Sequence, residues 1–189
     1  MSWWDVLLGR TEPAKADLDA LFALPSAAVT LQAATGFAPT GLGSVCFRSA
    51  EGGAFAALER DIAALLDAGG GPPVEISQDT YGYTWLLARR APEQFSDLVT
   101  DLHAVNSSLE AAAFGPSLLC SLLSFADPNG RKLGLVYLYK QGTFYPFAPL
   151  PDRRRDNALE LEMRAVLADE LPIEPDLGRW FPLWGAPGL

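Results

Sequence analysis

Hydrophobic residues recur along this 189-residue chain at two spacings, one typical of helices and the other typical of strands. Apolar residues three or four positions apart predict helices over residues 55–66, 95–109 and 159–167. A shorter helix near residue 20 is predicted to end at Pro25. At the start of the last helix, Asn157 and Glu160 have the spacing of a capping box.

Strand patterns fill most of the remaining chain. Residues 29–49 predict two strands with a long glycine-rich connection, and residues 74–90 predict strand that is broken between positions 79 and 82. Residues 118–126 and 132–140 flank the turn sequence Asp127-Pro128-Asn129-Gly130, and a further strand spans residues 143–147.

The order of these elements indicates the fold class. Strands joined by tight turns pair in an antiparallel way, whereas parallel strands need long crossovers. We therefore expect an α+β fold, a mainly antiparallel sheet with three or four helices packed against it, forming a single compact domain over residues 1–189. Two α/β halves joined near residues 69–73 are the alternative organisation.

Composition and charge exclude several classes of protein. The chain has 14 Lys and Arg against 23 Asp and Glu, a net charge of −9, which disfavours binding to nucleic acid or general attraction to anionic lipid. The N-terminus lacks the pattern of a secretory signal, and we find no stretch of about 18 apolar residues. Cys46 and Cys120 are expected to be buried, reduced thiols. These features predict a cytoplasmic protein, with attachment at the inner face of the membrane left open.

Residues with catalytic or metal-binding potential are sparse. His103 is the only histidine, so a zinc site built from several imidazoles is excluded within one chain. The nucleophile elbow G-x-S-x-G does not occur, and Gly69-Gly70-Gly71 follows a helix and lacks the Lys-Ser/Thr of a phosphate loop. We predict no enzymatic activity, no catalytic residues, no metal and no cofactor.

Three surface features are candidate partner-binding sites. Residues 1–15 form an amphipathic segment with Trp3, Trp4, Leu7 and Leu8 on one side of a helix. Residues 172–189 form an aromatic tail rich in Pro and Gly that carries Trp180, Phe181 and Trp184. A cluster of three cations, Arg153, Arg154 and Arg155, precedes the last helix. For the two aromatic features, packing within the domain is the alternative to binding a partner, and the N-terminal segment could also contact a membrane. For the arginines, the alternative is a solvated charge cluster, and the functional option is pairing with acids of this chain or of a partner.

Several segments resemble one known family. They are Asp19-Ala20-Leu21-Phe22-Ala23-Leu24-Pro25-Ser26-Ala27, Gly43-Ser44-Val45-Cys46-Phe47, Tyr81-Gly82-Tyr83-Thr84-Trp85-Leu86, Asp101-Leu102-His103-Ala104-Val105-Asn106-Ser107, Tyr137-Leu138-Tyr139-Lys140-Gln141-Gly142-Thr143-Phe144-Tyr145-Pro146-Phe147 and Leu177-Gly178-Arg179-Trp180-Phe181-Pro182. Together they resemble the PspA-associated protein PspAB family of actinobacteria, from the first residues of the chain to the last.

The resemblance implies a biological setting rather than a reaction. It suggests an accessory protein of a phage-shock-type envelope-stress response, whose partner is a PspA-like coiled-coil protein or an HtpX-like membrane protease. The alternative function is a domain that binds a small molecule or peptide, or an enzyme with an unrecognised site. Its pocket would be lined by an aromatic strand face made of Tyr81, Tyr83, Trp85, Tyr137, Tyr139 and Tyr145.

Overall fold

A computed structural model describes residues 17–49, 52–68 and 71–189, without the side chains of Ala54 and Ala68. The N-terminal segment of residues 1–15, with Trp3, Trp4, Leu7 and Leu8, lies outside the described residues. Within the described ranges the chain forms one six-stranded antiparallel sheet and four α-helices. The predicted α+β fold is therefore confirmed.

Apart from the region of residues 29–49, the sheet follows the predicted strands closely. Its strands are β1 (Ala38–Arg48), β2 (Glu75–Gln78), β3 (Tyr83–Arg89), β4 (Leu118–Ala126), β5 (Lys132–Leu138) and β6 (Thr143–Phe147). They lie in the order β2-β3-β1-β4-β5-β6, and every neighbouring pair is antiparallel. A separate two-stranded ladder joins β7 (Pro149–Leu150) to β8 (Arg154–Arg155). The long strand β1 lies inside the sheet, so its alternate residues face two different environments.

The helices cover one face of the sheet. They are α1 (Leu24–Thr35), α2 (Gly53–Ala68), α3 (Phe95–Ala111) and α4 (Asn157–Leu167). Helix α3 lies on β1, while α1 and α4 pack on each other and reach β1 and β6. The apolar stripe of α3 is fully enclosed, and the residues that form it are Leu98, Val99, Leu102, Val105 and Leu109. This side contains the larger of the two hydrophobic clusters in the described part of the chain.

The opposite face of the sheet carries no helix among the described residues and is partly covered by the C-terminal segment. Trp180 is buried and stacks on Tyr145 of β6, with ring centroids 6.0 Å apart. Trp184 packs edge-on against Phe147, and an added Cβ on Gly188 would come within 3.0 Å of Leu87. Apart from the short 3₁₀ helix Leu177–Arg179 and a bridge between Ile173 and Phe144, the tail lacks regular structure and is held by these contacts with the sheet.

The prediction for residues 29–49 is wrong. Val29 lies in α1, which runs from Leu24 to Thr35 and ends at Gly36 in the left-handed conformation, and the rest forms the single strand β1. Gly41 sits where the register with β4 shifts, at a φ of +79°, and a Cβ there would lie 2.1 Å from the carbonyl oxygen of Arg90. The glycines therefore allow an irregularity within one strand rather than a connection between two.

Two predicted helix boundaries also need correction. Pro25 opens α1 instead of ending the short 3₁₀ helix Leu18–Ala23, because proline tolerates the first turn of a helix. Helix α4 is capped by Asp156, whose Oδ1 accepts a hydrogen bond from the N–H of Leu159. Glu160 does not complete a capping box; its Oε1 instead accepts from the N–H of Ala148 and from Arg155.

One segment qualifies as a membrane span by length and apolar composition, which corrects the sequence-based expectation. Residues Leu18–Thr35 form an 18-residue stretch with mean hydropathy 1.2. In the fold this stretch is the 3₁₀ helix followed by α1, and it packs one side into the core through Leu18, Leu21, Leu24, Ala27, Ala28 and Leu31.

Candidate functional site

The site candidate is a groove of about 670 Å³ on the helix-free face, at the end of the sheet where β3 begins and β5 ends. Its floor is a row of side chains in register across four strands. Trp85 pairs with Cys46, Cys46 with Cys120, and Cys120 with Leu138. Partners directly opposite each other in antiparallel strands lie on the same face of a sheet, so the row forms a continuous, largely apolar surface.

The C-terminal segment builds one wall of this groove. Phe181, Leu183 and Trp184 line it, and the hydroxyl of Tyr145 donates to the carbonyl oxygen of Phe181 over 2.8 Å. Nearby, the indole N–H of Trp180 donates to the carbonyl oxygen of Glu174 over 3.0 Å. The tail is thereby fixed over the neighbouring part of the sheet. Beside it, Trp85, Cys46 and Cys120 are buried at the bottom of the groove, and Leu138 is half-buried.

The β2–β3 turn builds the opposite wall and is organised by one carboxylate. Asp79 Oδ1 accepts from the backbone N–H groups of Tyr81 and Tyr83, at 2.8 and 3.0 Å, while Oδ2 accepts from the indole N–H of Trp85 at 3.1 Å. Burial acts to raise the pKa of Asp79, but these hydrogen bonds outweigh it and hold the pKa below its ordinary value. The carboxylate therefore stays ionised near neutral pH and fixes the indole of the groove floor.

Three cations line the groove of this otherwise acidic protein: Lys140, Arg153 and Arg179. Arg179 is engaged, since it donates to Gln141 over 2.9 Å and lies 3.6 Å from carboxylate oxygens of Glu174 and Asp176. In the described part of the chain, Lys140 and Arg153 have no ion-pair partner, and both are exposed. The groove thus presents two cations without an ion-pair partner beside an apolar floor and the ionised Asp79.

The loop that carries Arg153 has an uncommon backbone. Between β7 and β8, the consecutive residues Asp152 and Arg153 both adopt positive φ, at 60° and 53°. Residues that carry a Cβ rarely enter this region of the φ/ψ map, and such outliers are found more often at binding sites than elsewhere. The conformation places Arg153 on the groove, while the next residue, Arg154, does not line it.

The two thiols in the floor are buried, which confirms that part of the prediction, and they are not joined by a disulfide in the structure. The hydrogen bond between Cys46 and Cys120, together with burial, raises the pKa of the Cys46 thiol far above its ordinary value. A neutral thiol is a poor nucleophile and a poor metal ligand. The pair therefore contributes a soft, apolar surface to the floor.

The structure separates the sequence-predicted binding residues into two groups. Trp180 is 5% exposed and Arg155 forms an ion pair with Glu160 at 2.9 Å, so both are used within the domain. Phe181 is 57% exposed, Trp184 is half-buried in the groove wall, and Arg153 and Arg154 are exposed. Trp3, Trp4, Leu7 and Leu8 lie outside the described residues.

The predicted aromatic strand face is only partly present. Tyr81, Tyr83, Trp85 and Tyr145 line the groove, but Tyr137 and Tyr139 belong to the core under the helices. The reason is register: Tyr145 lies opposite Val136, so it shares the face of Val136 and not that of Tyr137.

Several groove residues were not among the sequence-based candidates, notably Asp79, Leu138, Lys140 and Arg179. Alternation within β1, β4 and β5 could have placed Cys46, Cys120 and Leu138 on a common face. The walls come from a turn and an irregular tail, for which periodicity gives no signal.

No metal-binding cluster of three or more His, Cys, Asp or Glu residues occurs in the ranges that the structure describes. His103 Nε2 lies 3.2 Å from Asp19 on the helix side, and its ring lies against Phe22 with centroids 4.6 Å apart. Asp101, the acid nearest to His103 in sequence, forms an ion pair with Arg90, whose Nε lies 2.7 Å from its Oδ2.

The fold and this groove define an α+β protein whose six-stranded sheet has one face packed by helices and a groove at one end of the other face. The chain belongs to the PspAB family, PspA associated protein B, which it matches over residues 1–188. The family resemblance read from the sequence is therefore confirmed. No curated protein and no solved structure matches the chain.

Proposed function

We propose that this protein is a non-catalytic accessory component of a phage-shock-type membrane-stress response that binds a PspA-like coiled-coil protein. The observation that carries the proposal is the match to the PspA-associated family over almost the whole chain. The protein would act in the cytoplasm or at the inner face of the membrane, where its partner binds.

The rim of the groove is the surface that we assign to the partner. Tyr81 is 77% exposed on one wall and Phe181 is 57% exposed on the other. Large aromatic side chains are enriched at protein interfaces and contribute most when a partner encloses them. Because both flank one groove, a partner segment lying across it would cover both rings at once.

The contact is testable with variants that leave the core intact. The tagged protein is co-expressed with a PspA homologue and purified, and the double variant Tyr81→Ser, Phe181→Ser is compared with the unchanged chain. Loss of two interface aromatics should weaken binding by about tenfold or more. Phe22→Ser is the matched control, because Phe22 is 48% exposed on the helix-covered side. This substitution should leave binding unchanged.

Other outcomes would redirect or reject the proposal. If the rim variant binds normally but Trp3→Ala, Trp4→Ala does not, the N-terminal segment is the contact. If the unchanged chain recovers an HtpX-like protease or bare membrane and no PspA homologue, the proposed partner is wrong.

A further inference from the structure

The groove floor has the features of a small-molecule site, which is a property separate from partner binding at the rim. Ligand pockets have volumes of about 300 to 1,000 Å³, are mainly apolar and contain a few polar groups that orient the ligand. The groove has a volume of about 670 Å³. Its floor consists of the buried Trp85, Cys46 and Cys120 and the half-buried Leu138. Both the size and the character of the lining therefore fit a compact apolar body.

The charges around the floor restrict what that body can carry. Lys140 and Arg153 line the groove, and neither has an ion-pair partner in the described ranges. The acidic group at the opposite wall, Asp79, already accepts hydrogen bonds from Tyr81, Tyr83 and Trp85. An anionic head would gain charge-assisted hydrogen bonds from the two cations, and a cationic head would meet them with repulsion.

We propose that the groove binds a small anionic amphiphile, with its aromatic or acyl body on the floor formed by Trp85, Cys46, Cys120 and Leu138 and its acidic head at Lys140 and Arg153. The ligand class comprises free molecules with one carboxylate, sulfonate or phosphate group. A carboxylate and a sulfonate present the same hydrogen-bond acceptors to these cations.

A matched pair of probes separates the two parts of the site. 8-Anilinonaphthalene-1-sulfonate carries the anionic head, and N-phenyl-1-naphthylamine has the same ring system without it. Fluorescence titration of the full chain should give saturable binding of both probes, with the sulfonate bound more tightly. Decanoate should displace the sulfonate, whereas 1-decanol should displace it more weakly.

Charge variants test the head group. Lys140→Gln with Arg153→Gln should weaken binding of the sulfonate about tenfold or more, because two charge-assisted hydrogen bonds are lost. The same double variant should bind N-phenyl-1-naphthylamine with a Kd within about twofold of that of the unchanged chain. Arg154→Gln is the matched control: Arg154 is the neighbouring exposed cation and does not line the groove, so both probes should bind as before.

A filled-groove variant tests the location. Leu138 is half-buried in the floor, and Leu138→Trp should abolish binding of both probes while circular dichroism shows a folded chain. The proposal is overturned if the charge variant binds the sulfonate normally, if Leu138→Trp retains both probes, or if anionic vesicles bind while the free probes do not. These measurements use the purified protein alone, so their failure leaves the partner experiment unaffected.

Discussion

The two faces of the sheet differ in how they are covered. The helix-covered face is sealed by α1, α3 and α4 through regular apolar stripes, and its central residues such as Leu98 and Leu102 are fully enclosed. The helix-free face is covered by an irregular tail that uses a few anchors, among them Trp180, and leaves one end of the sheet as a groove.

One sheet can thereby supply most of the stability through one face and offer the other face as the proposed binding surface. Regular helices bury apolar surface continuously, so small losses there create cavities. An irregular tail covers only the strands it contacts, because its backbone follows no repeating face. The row from Trp85 to Leu138 lies at the bottom of the groove that the tail leaves at this end of the sheet, and Leu138 is its half-buried member.

The largest effect is expected from removing the main anchor of the tail. Trp180→Ala should lower the free energy of unfolding by about 3 to 5 kcal/mol, the usual cost of truncating a buried tryptophan. The variant loses the stack on Tyr145 and the hydrogen bond to the carbonyl oxygen of Glu174. Urea unfolding followed by far-ultraviolet circular dichroism measures the change.

Trp184→Ala is the comparison for this variant. Because Trp184 is half-buried, its truncation should lower the free energy of unfolding by less. Equal stability of the Trp180 variant and the unchanged chain would show that the tail does not hold the helix-free face.

The next prediction compares the stability contributions of the two faces with the same type of substitution, Leu to Ala. Leu102→Ala on the helix-covered face should cost about 2 to 5 kcal/mol, because the fully buried side chain leaves a cavity. Leu138→Ala in the groove floor should cost about 1 kcal/mol or less, since that side chain is already partly in solvent. Midpoints of urea unfolding give both values. A larger loss at Leu138 than at Leu102 would contradict an open groove.

A smaller, pH-dependent effect is expected at the turn that forms the groove wall. The folded-state pKa of Asp79 is lowered, so the carboxylate stabilises the fold above its unfolded pKa of about 4, and this contribution is lost as the pH falls through the folded value. Asp79→Asn should cost about 1 to 2 kcal/mol at pH 7, and this cost should shrink as the pH falls through the folded-state pKa of Asp79.

The measurement for Asp79 is the difference in unfolding free energy between the unchanged chain and the variant, taken at each pH. Using the difference removes the contributions of Asp127 and Glu170, whose pKa values are also lowered. A difference that stays constant with pH would show that the charge of Asp79 does not support the wall.

The sequence predicts the periodic parts of this molecule well and the groove poorly. Strands β4 to β6 and helices α2 to α4 follow from spacing and turn residues. The sequence pattern does not predict helix α1, because Val29 and the glycines beyond it resemble strand and loop. The left-handed conformation of Gly36 and the irregularity at Gly41 become evident only in three dimensions.

The groove depends on relations that a single sequence does not contain. Its floor needs the register that sets Cys46 opposite Cys120, and one of its cations needs the positive φ of Arg153. The aromatic tail was identified from sequence as a candidate, but which of its rings is an anchor and which is exposed depends on tertiary packing. Trp180 is enclosed and Phe181 is not.

The groove at the end of the helix-free face is the surface that we propose for binding. Two-dimensional ¹H–¹⁵N spectra of the labelled protein, titrated with 8-anilinonaphthalene-1-sulfonate, test it most directly, because each tryptophan gives its own indole signal. We expect saturable chemical-shift changes for the indole N–H signals of Trp85 and Trp184, which line the groove. The signal of Trp180, which does not line it, should change little. Shifts confined to the helix-covered face, or to Trp3 and Trp4, would contradict it.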